Sequence, residues 1–149
     1  SSVSDRAYSI RAGMKTAEQR MKELQKLIEN GENYLQYKPI HAELKKLKND
    51  WTNKRDKYEE VHRAELTLWN AASRYLHANL TDTKTLPISE WKQEYADLKA
   101  QRDTDYTKLK AARAEVAELQ KIRKCVDIAL KAEQPEQTQN RTKRHDIDR

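Results

Sequence analysis

The sequence is poor in glycine and proline: its 149 residues include two Gly, three Pro and no Phe. Tight turns between strands depend on such residues, so their scarcity excludes a barrel, a sandwich or any sheet with many strands. Charged and hydrophobic residues each make up 36% of the chain, whereas a compact domain is close to half apolar. The composition therefore favours long helices with much of their surface in water, and it reveals no reaction.

Long apolar runs are also missing. No stretch of about 18 uncharged apolar residues is present to span a membrane, and no charged-then-apolar leader begins the chain. The single cysteine, Cys125, excludes an intrachain disulfide, which is typical of a reducing compartment. We expect a cytoplasmic protein with no membrane partner. Because the chain begins with Ser1 rather than Met, we also expect it to be a piece of a longer protein.

Apolar residues recur at alternating steps of four and three, which places them on one narrow helix face for a partner helix to pack against. Three segments carry this repeat, and it predicts helices at residues 4–30, 39–79 and 88–132. Gly31 gives a stop signal for the first helix, while Pro39 and Pro87 give start signals for the other two. The repeat is absent from residues 133–149, which we expect to be a disordered tail.

The short connections near residues 31–38 and 80–87 favour antiparallel neighbours within one chain. The expected fold class is all-α, with residues 1–132 forming one domain, a long antiparallel three-helix coiled coil. The first helix is too short to reach the far end, so the coil should thin there to a two-helix hairpin tip. Folding the second and third helices about 80–87 sets Glu65 beside Arg102, and these opposite charges would fix the register.

The aromatic side chains are expected to lie in the core of this coil, together with Met14 and Met21. Folding the first helix back on the second sets Gly13 beside Trp51, where the missing side chain would give the indole room. A slim coiled coil has no cavity large enough to enclose a cofactor, so we expect none.

Side chains that could carry chemistry are scattered. No histidine has a second one at a spacing of two, three or four, and His62 with Glu65 supplies too few ligands for a structural zinc site. Cys125 is expected to be a small core residue rather than a reactive thiol. Glycine-rich phosphate loops, serine nucleophile elbows and acidic metal clusters are missing from the sequence. We expect no catalytic residue, no metal site and no small-molecule ligand.

Basic residues concentrate at one end of the expected coil. Clustered Lys and Arg attract a polyanion, and the release of counterions favours contact with a phosphate backbone without sequence readout. The candidate nucleic-acid contacts are Lys22, Lys26, Lys38, Lys45, Lys46, Lys48, Lys121, Arg123 and Lys124. The alternative is that long helices carry many Lys and Glu for solubility alone.

Several segments resemble the helical C-terminal region of bacterial relaxases, the mobilisation nucleases of conjugative and integrative elements. The similarity covers roughly residues 17–130. The segments that carry it are LIENGENY at 27–34, YKPIHAE at 37–43, HRAELTLWNAA at 62–72 and LPI at 86–88.

The resemblance implies that the parent protein nicks one DNA strand at a transfer origin. A tyrosine would attack the phosphodiester with the help of a metal held by a histidine cluster. Those elements belong to the N-terminal nuclease domain of the family, and no residue of this chain matches its histidine motif. The chain would then be a non-catalytic accessory region that contributes nonspecific DNA contacts or docks to other DNA-transfer proteins.

A purely structural role is the alternative. The apolar repeats do not decide whether a helix pairs within its own chain or with another chain, so the coil would serve as a spacer or a self-association module. On either interpretation we expect a monomer or a weak homo-oligomer.

Overall fold

The structure, a computed structural model, describes residues 2–133, and within this range the chain forms α-helices and no strand. The helices are α1 (Ser2–Lys46), α2 (Lys54–Val61), α3 (Arg63–Asn79) and α4 (Ile88–Glu133). The all-α fold class is confirmed. The predicted tail lies outside the described residues apart from Glu133, which ends α4. Across residues 2–133, no helix carries an apolar stretch long enough to cross a membrane.

The first helix, α1, is 45 residues long and passes through both signals that were expected to interrupt it. Gly31 is an ordinary helical residue, because no glycine in the described range has a positive φ. Pro39 lies inside the helix on its exposed side, where water can bond to the backbone carbonyl that loses its N–H partner. Packing along α1 overrides these local preferences, and the predicted boundaries at residues 30 and 39 are corrected accordingly.

The predicted second helix, 39–79, is interrupted at residues 47–53. Asn49 accepts from the backbone N–H of Asp56 at 3.2 Å and donates to the Asp56 carboxylate at 3.0 Å. Asn53 adopts the left-handed conformation, with φ 52° and ψ 38°. These short polar side chains compete with the helix for backbone hydrogen bonds, so the chain leaves α1 here although the apolar spacing continues.

A smaller irregularity at His62 separates α2 from α3, and α3 then ends where Leu80 becomes extended. The chain returns to helix at α4, whose first turn is closed by a bond from the Trp91 N–H to the Pro87 carbonyl at 3.0 Å. The observed span of α4, Ile88–Glu133, lies within one residue of the predicted 88–132.

Residues 2–133 divide into two compact units, and the larger comprises residues 15–103. Its core is a cluster of buried side chains drawn from α1, α3 and α4: Leu24, Leu27, Leu76 and Trp91. Both α3 and the start of α4 run antiparallel to α1 in this unit.

Along α3, Trp69 stacks on His41 of α1, while Leu76, further along α3, joins the cluster with Leu24. Along α4, Lys92 bonds Glu32 at 2.7 Å and Glu94 bonds the earlier residue Arg20 at 2.7 Å. The long α1 is therefore the common partner of both helices. The predicted pairing of Glu65 with Arg102 does not form: Glu65 lies 3.4 Å from His62, and Arg102 lies 3.5 Å from Asp103.

The smaller unit comprises residues 2–14 of α1 and 104–133 of α4. Val3, Leu109 and Ala112 are buried in it, and Arg6 bonds Glu115 at 3.4 Å. Beyond Val116, every described residue of α4 is exposed. Cys125 is among them, so the expectation that it lies in a core is wrong.

At Gly31, side chains of α4 pack directly against the backbone of α1. A Cβ at Gly31 would lie 3.1 Å from Cζ3 of Trp91 and 3.2 Å from Cδ1 of Ile88. The sequence argument expected a glycine to make room for an indole, but at a different pair, Gly13 and Trp51. A Cβ at Gly13 would have no neighbour within 4 Å, and Trp51 is exposed.

We therefore expect substitutions at the two glycines to have opposite effects on the free energy of unfolding. We expect Gly31→Leu to lower the free energy of unfolding by about 1–3 kcal/mol, because the added side chain must displace Trp91 and Ile88. Gly13→Ala should raise it by about 0.5–1 kcal/mol, because alanine favours the helix and open space surrounds the site. Urea titration followed by circular dichroism measures both, and a Gly31→Leu protein as stable as the wild type would contradict this packing.

A second prediction concerns the ion pair between Arg20 and Glu94. Two bonds form it, from Nε to Oε2 at 2.7 Å and from Nη2 to Oε1 at 3.2 Å. The Arg20 guanidinium lowers the pKa of the Glu94 carboxyl from its ordinary 4.5. A lowered carboxyl pKa means that the stabilisation is present above pH 4.5 and is lost as the pH falls through the folded-state value. Because both side chains are partly exposed, the pair contributes at most about 1 kcal/mol.

We expect Glu94→Gln to lower the melting temperature at neutral pH, and the difference from the wild type to vanish in acid, below the folded-state pKa of Glu94. The matched control is Glu23→Gln, which removes the weaker contact of Arg20 within its own helix, at 3.3 Å. Thermal melts at both pH values test this. A pH-independent difference would show that Glu94 acts through packing rather than through its charge.

Candidate nucleic-acid interface

All nine of the predicted nucleic-acid contacts are exposed, and they are divided between the two compact units. Six of them, from Lys22 to Lys48, belong to the larger unit, and the three on α4 belong to the smaller one. Residues 104–133 of α4 share their unit with residues 2–14 of α1, not with 45–48. The single basic end expected from the sequence depended on a first helix that stops at residue 30, and α1 does not stop there.

Positive charge is densest where α1 gives way to α2. Residues 45–57, called here the basic turn, contain six Lys or Arg and two Asp. Three of the cations were predicted contacts, and the other three follow the break in the helix. The six are Lys45, Lys46, Lys48, Lys54, Arg55 and Lys57.

Hydrogen bonds within the basic turn engage both of its carboxylates. Asp50 accepts from the backbone N–H of Thr52 at 2.7 Å and from the Thr52 hydroxyl, and these bonds lower the pKa of Asp50. Asp56 is bonded to Asn49. Within residues 2–133 no ion pair engages any of the six cations of the turn. Their charge is therefore available to a ligand.

Trp51 lies at the centre of the basic turn and is 92% exposed. The sequence analysis placed it in the core, which is wrong because the break at residues 47–53 removes it from the helical repeat. Large aromatic side chains are usually mostly buried, so an indole in water between lysines requires an explanation. Such an indole can stack on a flat ligand without rearrangement of the fold.

A stack of three rings joins α3 to the part of α1 that precedes the basic turn. The ring centroids of His41, on α1, and Trp69, on α3, lie 3.6 Å apart at an interplanar angle of 13°. The ring centroid of Tyr34, also on α1, lies 5.4 Å from that of Trp69. Within residues 2–133, the buried Nε1 of Trp69 has no hydrogen-bond partner. The stack packs α3 on α1 one helical turn before Lys45.

His41 adds no positive charge to this region at neutral pH. Burial disfavours the charged imidazolium, and Lys45 repels it, so the pKa of His41 is lowered from its ordinary 6.5. The attraction for an anion in this part of the molecule comes from the lysines and Arg55.

No metal centre accompanies the basic turn in the part of the chain that the structure describes. His62 and Glu65 face each other with Nδ1 and Oε1 3.4 Å apart. Across residues 2–133, no group of three or more His, Cys, Asp or Glu side chains could hold a metal ion.

Four residues of this candidate interface are not among the contacts predicted from the sequence: Trp51, Lys54, Arg55 and Lys57. The apolar repeat predicts one helix through residue 51, and that prediction hides the turn. The available signal was local: four residues between 49 and 53 are Asn, Asp or Thr, types that favour caps and turns over helix interiors.

No protein-family profile matches the chain, and no curated protein or solved structure matches it significantly.

The exposure and surroundings of Trp51 can be tested by fluorescence. We expect iodide to quench the tryptophan fluorescence of the protein strongly. The Trp51→Phe change should remove most of that quenching, because Trp91 is buried and Trp69 is half-buried. Replacing Lys45, Lys46 and Lys48 by Gln should weaken quenching by iodide more than by neutral acrylamide, since the lysines concentrate the anion. Equal effects on the two quenchers would contradict a positive potential at Trp51.

Proposed function

We propose that this chain is a non-catalytic accessory region of a relaxase-like DNA-mobilisation protein of the bacterial cytoplasm. In this proposal the basic turn contacts the phosphate backbone of DNA. The observation that carries it is the basic turn itself: six cations without ion-pair partners among the described residues, around a tryptophan that is 92% exposed.

The electrostatic part of this binding is independent of sequence. Each Lys or Arg that neutralises a phosphate releases a condensed counterion, so affinity falls steeply with added salt. Flexible lysines at a helix end and in a turn fit a backbone whose phosphates vary in position, because no fixed base contact has to be satisfied. Such a surface holds DNA without selecting a site.

Trp51 extends the proposal to unpaired DNA. Aromatic side chains stack on the faces of bases that are not enclosed in a duplex, and each such contact contributes about 1–3 kcal/mol. In a duplex both faces of a base are covered by its neighbours, so the indole gains little there. We therefore propose that the basic turn prefers a single strand to a duplex.

The resemblance to relaxases supports the wider context. The segments that carry it include several structural positions of the larger unit: Gly31 against Trp91, His41 against Trp69, and the buried residues Leu66 and Ala72 of α3. The proposal includes docking to other DNA-transfer proteins. Its alternative is a purely structural role as a spacer or a self-association module.

The first test is binding of a fluorescent single strand at about 50 mM salt, followed by anisotropy. We expect affinity to fall at least tenfold between about 50 and 200 mM salt, because several phosphates are neutralised. Changing Lys45, Lys46 and Lys48 together to Glu should abolish binding. The control carries the same charge change at three exposed lysines of the same unit that lie outside the turn and outside the predicted contacts: Lys15, Lys84 and Lys99.

If that control loses as much affinity as the triple change in the basic turn, binding reflects the net charge of the chain and the turn has no special role. If the wild-type chain fails to bind at low salt, the DNA role is excluded and the spacer interpretation stands.

The second test separates stacking from charge. We expect Trp51→Ala to weaken single-strand binding about five- to a hundredfold, as the loss of one stacked base predicts, with little effect on a duplex of the same length. Trp51→Phe should retain most of the affinity, because it keeps an aromatic face. Equal losses on both DNA forms would contradict stacking and leave the backbone contacts alone.

The relaxase context has a test of its own. The proposal expects the coding sequence upstream of this chain to encode a nuclease domain with a histidine cluster. A different domain there would refute the mobilisation context, and the DNA-binding measurements would stand separately.

A further inference from the structure

The apolar face of α4 continues beyond the part that pairs with α1. In the smaller unit Leu109 is 4% exposed and Ala112 is buried, and Val116 is half-buried at the limit of the pairing. The same repeat then places Leu119 and Ile122 in solvent, at 51% and 52% exposure. One continuous seam is therefore covered by α1 over its first part and uncovered over its second part.

Exposed apolar side chains concentrate on this second part. Five of the eleven large hydrophobic residues that are exposed in the described structure lie between residues 119 and 130. Four of them recur at steps of three, four and four, which keeps them on one helix face. These four, Leu119, Ile122, Val126 and Leu130, are called here the distal seam, whereas Ile128 lies on the opposite face.

We propose that the distal seam binds the same segment of a second copy of this chain, as an antiparallel two-helix coiled coil. Residues 134–149 contain a single large aliphatic residue, Ile147, whereas the distal seam of a second copy offers four. The seam has the spacing by which α4 already packs on α1, so a helix with the same repeat fits it.

Charge decides the orientation. Arg123 occupies the seam between Leu119 and Val126, and a parallel dimer in register would stack it on Arg123 of the second copy, a like-charge contact. In an antiparallel dimer, Arg123 lies across from Val126 of the second copy and beside its Asp127. The guanidinium then gains a carboxylate, and its aliphatic stem covers the valine. Within residues 2–133 neither Arg123 nor Asp127 forms an ion pair.

The same arrangement sets the register. With Arg123 across from Val126, Leu119 of each copy packs on Leu130 of the other, and Ile122 lies beside Ala129. If the register were shifted by one heptad in one direction, Ala112 would have to pack on the second copy, but α1 already covers Ala112. A shift in the other direction would carry Leu119 past Glu133, the last described helical residue. One register therefore uses the whole distal seam.

The pairing should be weak and dependent on concentration. Residues 116–133 form about two and a half heptads, roughly 27 Å of helix, which is short for a stable coiled coil. This inference does not rest on DNA binding, since the distal seam is remote in sequence from the basic turn and its test contains no DNA.

Sedimentation equilibrium of the 149-residue chain is the first measurement. We expect the weight-average mass to rise from 17.6 kDa towards twice that value as the concentration increases into the range of hundreds of micromolar. Val126→Lys, which sets a lysine against Arg123 of the second copy, should hold the mass at the monomer value. Ile128→Lys is the matched control: it adds the same charge at a 61% exposed apolar residue on the opposite face and should dimerise like the wild type.

Disulfide trapping tests the orientation. In a Cys125→Ser background, Leu119→Cys and Leu130→Cys proteins of different mass are mixed and oxidised. The antiparallel register predicts a disulfide between the two different proteins and little between copies of either one. Both variants change exposed side chains, so the fold of the unit should persist, and circular dichroism checks that the helical signal is retained.

Three results would overturn the proposal. A wild-type chain that stays monomeric throughout the concentration range excludes the second copy as the occupant. Equal dissociation by Val126→Lys and Ile128→Lys excludes the distal seam as the interface. Efficient cross-linking of Leu119→Cys to itself shows a parallel dimer and refutes the charge argument.

Discussion

The close approach of α4 to α1 at Gly31 is the contact on which the architecture of the larger unit depends. A side chain there would meet Trp91 and Ile88, and its absence lets the indole close over α1 beside Leu24 and Leu27. Buried aromatic area of this kind dominates the stability of a small core. The helix α1 continues on both sides of Gly31, which is the reverse of the terminating role usual for glycine.

The length of α1 explains where charge accumulates. A helix that ended at residue 30 would have turned the following lysines back along the coil, but α1 carries them on to Lys46. Asn49 and Asp50 then close the turn with their side chains, Asn53 adopts the left-handed backbone conformation, and Trp51 is left outside the apolar repeat. Helical packing and local polar bonds thus combine to present cations around an aromatic ring, and neither feature alone would do so.

The two parts of the apolar face of α4 lie in different environments. Its earlier residues pack on α1, and its later residues, chemically similar, are exposed to water. Burying apolar side chains is favourable wherever a partner is available, at about 25 cal/mol per Å². The exposed stretch therefore favours association, and the arginine within it selects the orientation in which an aspartate is adjacent.

The sequence alone determined the fold class and one of the helices. Scarce glycine and proline together with the four-three repeat indicated an all-α chain, and residues 88–132 were outlined almost as α4 is observed. These conclusions agree with the structure because they depend on the spacing of apolar residues along the chain, which directly reflects the period of a helix. The expected pairing of Gly13 with Trp51 is wrong, because Gly13 has open space around it and Trp51 is exposed.

Tertiary structure decided where α1 ends, which helices are neighbours and which lysines stand together. Gly31 and Pro39 carry local signals to interrupt a helix, and only packing against α3 and α4 overrides them. Trp51 and Leu119 satisfy the same repeat as the buried leucines, so nothing in their spacing reveals that they are exposed. Burial depends on which helix comes alongside, and that is settled by contacts between residues far apart in the chain, such as Gly31 with Trp91, that no local pattern encodes.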